Sequence, residues 1–162
     1  MLILKEKGRK KVLLWKNIQK TPGECNSGCK MAVNSMDQVS EYIEDEKLSQ
    51  VVGVYRDKHK KIEDKSSELL QRYGETGKEP GAAASVFSWF TTEIKLMLKD
   101  DRNQIAKLLM DGCNMGIQSI SEAVNDNPEA SRESKAAAKR LVKELENFMK
   151  DLKPISVKSE FS

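Results

Sequence analysis

The chain has 162 residues, of which 38% are apolar and 33% charged, with nine Gly, four Pro and a formal net charge of +3. This is enough sequence for one domain with a single substantial core and highly charged outer faces, the balance of a soluble helical protein. It excludes a membrane span, because no apolar run approaches the roughly 20 residues one needs, and three cysteines, an odd number, argue against a closed disulfide framework.

Residues 1–20 carry Lys5, Lys7, Arg9, Lys10, Lys11, Lys16 and Lys20 against a single acid, Glu6. The rest of the chain is therefore slightly acidic and lacks the basic face of a duplex-binding body. Gly8 interrupts the helical spacing of Leu2, Leu4, Val12, Leu13, Leu14, Trp15 and Ile18. We expect an extra helix or basic arm here, with nucleic acid or an acidic membrane surface as the alternative use of its charge. Val12-Leu13-Leu14-Trp15 is too short for a signal-peptide core, so the expected location is cytoplasmic.

A helical domain is expected over residues 21–153. Thr21-Pro22-Gly23-Glu24 has the composition of a helix start, and Cys29, Ala32, Val33, Met36, Val39 and Ile43 then share one face. That helix should end in the acidic stretch Glu44-Asp45-Glu46. The next is the most regular: Leu48, Val52, Tyr55, His59, Ile62, Ser66, Leu69 and Tyr73 alternate at spacings of four and three, the seam of antiparallel helices packed at a shallow angle. Lys58, Lys60, Lys61, Glu63, Asp64 and Glu68 form its solvated side, and Gly74 is the expected cap. After a loop at 75–81, a third helix over about 82–99 carries Phe87, Phe90, Ile94 and Met97 in one stripe, with Trp89 and Leu96 pointing elsewhere. It should cross the bundle and touch two neighbours, or offer Trp89 to a subunit contact.

Asp101-Arg102-Asn103-Gln104 reads as a cap with Gln at the third helical position, opening a fourth helix that buries residues such as Ile105, Leu108, Leu109 and Ile120. Asn127-Pro128 reads as the cap and first residue of a fifth. This one carries Ser134, Ala138, Leu141, Leu145, Phe148 and Leu152 on a second seam and should stop at Lys153-Pro154, with 154–162 a loose tail.

One segment occurs twice. Gly28-Cys29-Lys30-Met31-Ala32-Val33-Asn34-Ser35-Met36 returns 84 positions later as Gly112-Cys113-Asn114-Met115-Gly116-Ile117-Gln118-Ser119-Ile120. An offset of 83 likewise pairs the two seams, setting Tyr55 against Ala138, His59 against Val142 and Ile62 against Leu145. Two duplicated helical hairpins joined through an additional crossover helix make an all-α four-helix bundle with ferritin-like connectivity. The segments around Cys29, Ser88-Trp89 and 105–117 also resemble a group of uncharacterised bacterial ferritin-like four-helix-bundle proteins found in spore-forming anaerobes. The similarity spans roughly 25–153; it implies the fold and brings no established activity.

The chemistry such a bundle first suggests is a di-iron carboxylate centre, which needs Glu-x-x-His on two helices. One histidine cannot supply it, and Arg56 stands three residues before His59. No phosphate loop, dinucleotide fingerprint or Ser-His-Asp order is present, so no enzyme activity and no cofactor are expected. Cys29, Cys113 and His59 have the stoichiometry, though not the knuckle spacing, of a thiolate-imidazole metal site. The plainer expectation is small buried cysteines in a tight helix contact and a half-buried His59 with its polar edge turned toward the lysines. Gly112 and Gly116 should let backbones approach closely, although the same gap could admit a small apolar ligand. The expected function is a non-catalytic bundle acting through protein contacts, as a homo-oligomer or with another protein. The alternative is a metal- or small-ligand-binding bundle using Cys29, Cys113 and His59.

Overall fold

Helix boundaries in this chain follow side-chain capping chemistry. The computed structural model describes residue 23 and residues 25–72, 81–97 and 101–157. Among them the chain forms five helices and no strand: α1 (25–40), α2 (Glu46–Arg72), α3 (Gly81–Leu96), α4 (Arg102–Asp126) and α5 (Arg132–Ser156). The expected arm at 1–20, the helix start at Thr21, Pro22 and Glu24, the seam residue Tyr73 and the cap Gly74 lie outside the described residues, as does the Phe87 side chain.

Asp45 starts α2 by accepting from the Leu48 amide at 2.9 Å, while Arg102 reaches its other oxygen at 3.1 Å. Both hold its carboxyl below the ordinary Asp value, the Leu48 bond most strongly. Asp101 starts α4 as expected, accepting from the Gln104 amide at 3.2 Å. The expected start of α5 is displaced. Asn127 closes α4 instead, its buried side chain donating to Ala123 O at 2.7 Å. Pro128 and Glu129 form a turn, and Ser131 caps α5 by accepting from the Ser134 amide at 3.1 Å. Nor does Pro154 stop α5. A proline in a last turn removes only one bond, and the buried Ile155 anchors that turn, with Asn103 donating to its carbonyl at 2.8 Å.

The two seams pack as their spacing requires. Leu48, Val52, Tyr55, His59, Ile62, Ser66 and Leu69 are buried on α2, and all six seam residues of α5 are buried. Tyr55 stacks on Phe148 with centroids 4.7 Å apart, under the Lys58 ammonium and with its hydroxyl donating to Asp151 at 2.6 Å. Full burial of each large apolar side chain is worth about 1.5–3 kcal/mol, so these seams hold α2 and α5 together. The 2.7 Å Arg72–Glu133 ion pair at their margin is exposed enough to add little, whereas the 3.3 Å Lys58–Glu144 pair joins an exposed lysine to a largely buried carboxylate.

Pairing partners give the helix directions. Tyr55–Asp151 and Arg72–Glu133 run α2 antiparallel to α5, and Asn103–Ile155 runs α4 antiparallel to α5. Asn26–Ser66 and Asp37–Arg56 do the same for α1 and α2. α3 packs on α4 and touches α1 where Thr91 donates to Gln38 at 3.2 Å. Its Phe90 and Ile94 are buried, Trp89 is half-buried against the core, and Leu96 is exposed. No described helix is long and apolar enough to cross a membrane.

Candidate functional site

A cavity of about 140 Å³ lies between α1 and α4, with α2, α3 and α5 completing its wall. The twice-occurring segment builds both of its long sides. Gly28, Met31, Ala32, Ser35 and Met36 line it from α1, and the residues 84 positions later, Gly112, Met115, Gly116, Ser119 and Ile120, line it from α4. Both stretches are helical, so residues at spacings of three and four turn one face to the same space. Ala32, Ser35, Met115 and Ser119 are half-buried, so on their side the cavity reaches the surface. Phe90, Leu145 and Phe148 make its apolar inner wall.

The glycines open this space more than they draw backbones together. A Cβ on Gly112 would meet nothing within 4 Å, and one on Gly28 only Ile120 Cδ1 at 3.8 Å, an ordinary contact. At Gly116 alone is there a tight approach, 3.0 Å from Leu145 Cδ1. The expected close approach of backbones is therefore found at neither glycine: Gly116 is met by the tip of the Leu145 side chain, and at Gly112 the missing side chain leaves room.

His59 is the polar group of the inner wall, and it is fully buried, contrary to the expected half-exposed position among lysines. Its flanking lysines leave the helix in other directions, while the 4-3 seam carries the imidazole inward. Nδ1 lies 2.7 Å from the Tyr55 carbonyl oxygen. A carbonyl only accepts, so Nδ1 carries the proton and the neutral ring presents Nε2 as a bare acceptor. Among the described residues nothing hydrogen-bonds that buried Nε2. Burial holds the imidazole pKa below its ordinary value, outweighing the Tyr55 bond and the weaker pull of the Glu144 carboxylate, so the ring is neutral near pH 7.

Cys113 also lines the cavity, whereas Cys29, its counterpart in the repeated segment, does not. Cys29 is buried where Cys25 and Glu63 act on it electrostatically. Burial pushes the Cys113 thiol up to about 12 and the Cys29 thiol well above its ordinary value, so both are protonated at neutral pH. The structure thus brings His59 and Cys113 to one cavity, on different helices, and leaves Cys29 out of it. Among the described residues no three His, Cys, Asp or Glu side chains gather as a metal would require.

Asn26 and Glu63 are among the buried polar residues that escaped the sequence reading. Asn26 is buried and donates to Ser67 Oγ at 2.6 Å and to Glu63 O at 3.2 Å, tying α1 to α2. Glu63, expected on the solvated side, is buried with Lys60 Nζ at 3.2 Å from its carboxylate. An isolated Asn near a helix start carries no signal of this role. Comparison with protein-family models, with curated proteins and with solved structures finds no match for the chain.

Proposed function

We propose that this chain is a non-catalytic helical bundle that binds a small apolar ligand between α1 and α4. The observation that carries the reading is a cavity walled by both copies of the repeated segment, with one buried, unpartnered acceptor, His59 Nε2, in its lining. Its size supports a ligand of about one ring, since an engineered apolar cavity of about 150 Å³ in another protein takes up benzene. The protonated thiols and the absence of a three-ligand cluster among the described residues favour an uncharged ligand over a metal ion.

The architecture proposed with this function is a ferritin-like four-helix bundle of two duplicated hairpins, with α3 in the crossover. It is supported by the sequence echo, by the antiparallel pairing of α1 with α2 and of α4 with α5, and by the position of α3 between the hairpins. A cytoplasmic location belongs to the same reading, because buried protonated thiols suit a reducing compartment. Benzene titration of protein labelled at its methionine methyls tests the function. Met31, Met36 and Met115 should shift saturably and Gly112→Leu should abolish the response; unmoved methyls at saturating benzene would refute it.

A second reading, self-association through α3, is favoured by Leu96, which is 76% exposed on a helix that is otherwise largely apolar. Sedimentation tests it: an oligomer broken by Leu96→Lys supports it, and a monomeric parent chain rejects it.

A further inference from the structure

We infer that the cavity selects a neutral, single-ring-sized ligand bearing one N–H or O–H group, which donates to His59 Nε2. This rests on the reading of the cavity as a ligand site and adds the chemical class of what enters it.

The two long walls of the cavity are built from corresponding residues. The repeated segment supplies matched residues on α1 and α4, apolar except for Ser35 and Ser119. Those two hydroxyls rotate and can donate or accept, so they discriminate poorly between ligand groups. Behind them the correspondence breaks. At the position where α2 carries His59, α5 carries the apolar Val142. The inner wall is apolar on the α5 side, where Leu141, Leu145 and Phe148 line it, and offers a hydrogen-bond acceptor, His59, on the α2 side.

His59 is restricted to accepting. Its Nδ1–H is committed to the Tyr55 carbonyl at 2.7 Å, and the deep burial that keeps the ring neutral removes the second proton. The nearby charges do not change this. Glu144 on α5 favours the protonated ring, but burial outweighs it, and its carboxylate lies 3.3 Å from Lys58 Nζ. A ligand donor therefore gains a partner that is already desolvated, whereas an acceptor in the same place meets a lone pair. A buried group that finds its hydrogen bond only in the complex favours the correct ligand over its apolar isostere.

The test uses the full chain, with phenol and benzene as probes that differ by one hydroxyl. Calorimetry should show phenol binding about tenfold tighter, the margin of one neutral hydrogen bond. The chain has a single histidine, so ¹⁵N-histidine labelling reports one ring. Phenol should move the Nε2 resonance from the bare toward the hydrogen-bonded position, and benzene should leave it in place. His59→Leu should retain benzene binding and lose the preference for phenol; if that variant does not fold, the ¹⁵N shift in the parent chain decides alone. Equal affinities with an unmoved Nε2 would overturn this inference and leave the cavity reading standing. Binding of neither probe would overturn both.

Discussion

Replacing Gly112 by alanine should stabilise the protein, and the same change at Gly116 should not. Both glycines lie inside α4, where alanine is favoured over glycine by about 0.8–1.0 kcal/mol. At Gly112 an added Cβ meets nothing within 4 Å, so nothing opposes that gain. At Gly116 it falls 3.0 Å from Leu145 Cδ1, the tip of a side chain only 7% exposed. Leu145 must shift, and overpacking of this kind typically costs about 1–3 kcal/mol. The gain is thus cancelled or reversed. Gly112→Ala should raise the urea midpoint at unchanged slope and the Tm by roughly 2–4 °C, with Gly116→Ala at least about 1 kcal/mol less stable than it. A Gly112→Ala protein less stable than the parent, or equal to Gly116→Ala, would mean that a neighbour packs against Gly112 and that the cavity is not there.

Other consequences are equally measurable. His59 is held neutral by burial, with its folded pKa below the unfolded value of about 6.5. The unfolded chain therefore takes up the extra proton as pH falls below about 6.5. Stability should decline from there toward the folded pKa, by at most about 1.4 kcal/mol per pH unit. Denaturation at pH 7.5 and 5.5 should show this loss in the parent chain and not in a folded His59→Leu variant; equal stability at the two pH values in the parent would contradict it. Cys29 and Cys113 should react with a disulfide reagent far more slowly in the native chain than in urea, and prompt native labelling of either would deny their burial. Tyr55→Phe removes the hydroxyl that donates to Asp151 at 2.6 Å while keeping the Phe148 stack, and should cost about 1 kcal/mol in chemical denaturation. Phe148→Ala, which removes a ring 2% exposed, should cost about 3–5 kcal/mol, and a loss under 1 kcal/mol would show that the seam does not carry the core.

The seams were legible because a strict 4-3 alternation places every seam position of α2 and α5 that the structure describes in the core, from Leu48 to Leu69 and from Ser134 to Leu152. Burial of His59 followed from its place on that seam. What concealed it was the run of lysines beside it, residues that are neighbours in sequence but point to different sides of a helix. Glycine carries an ambiguity of another kind. A residue without Cβ can admit a neighbouring backbone or leave a gap, and the echo of Gly28 at Gly112 fits either. Only the distance to the facing helix separates the two, and that distance is set by side chains on other elements, Leu145 among them. Asn127 misled because a buried asparagine can close the helix before it as well as open the one after it. Pro154 misled because its effect depends on burial of Ile155 and on Asn103, neither readable from the local sequence.

Whether the α1–α4 cavity receives a ligand is tested most directly by a crystal structure of the full chain exposed to benzene vapour. Ring density between Met36 and Gly112, within reach of the His59 edge, is the predicted result. Close-packed side chains filling that volume, with no density for the probe, would contradict it.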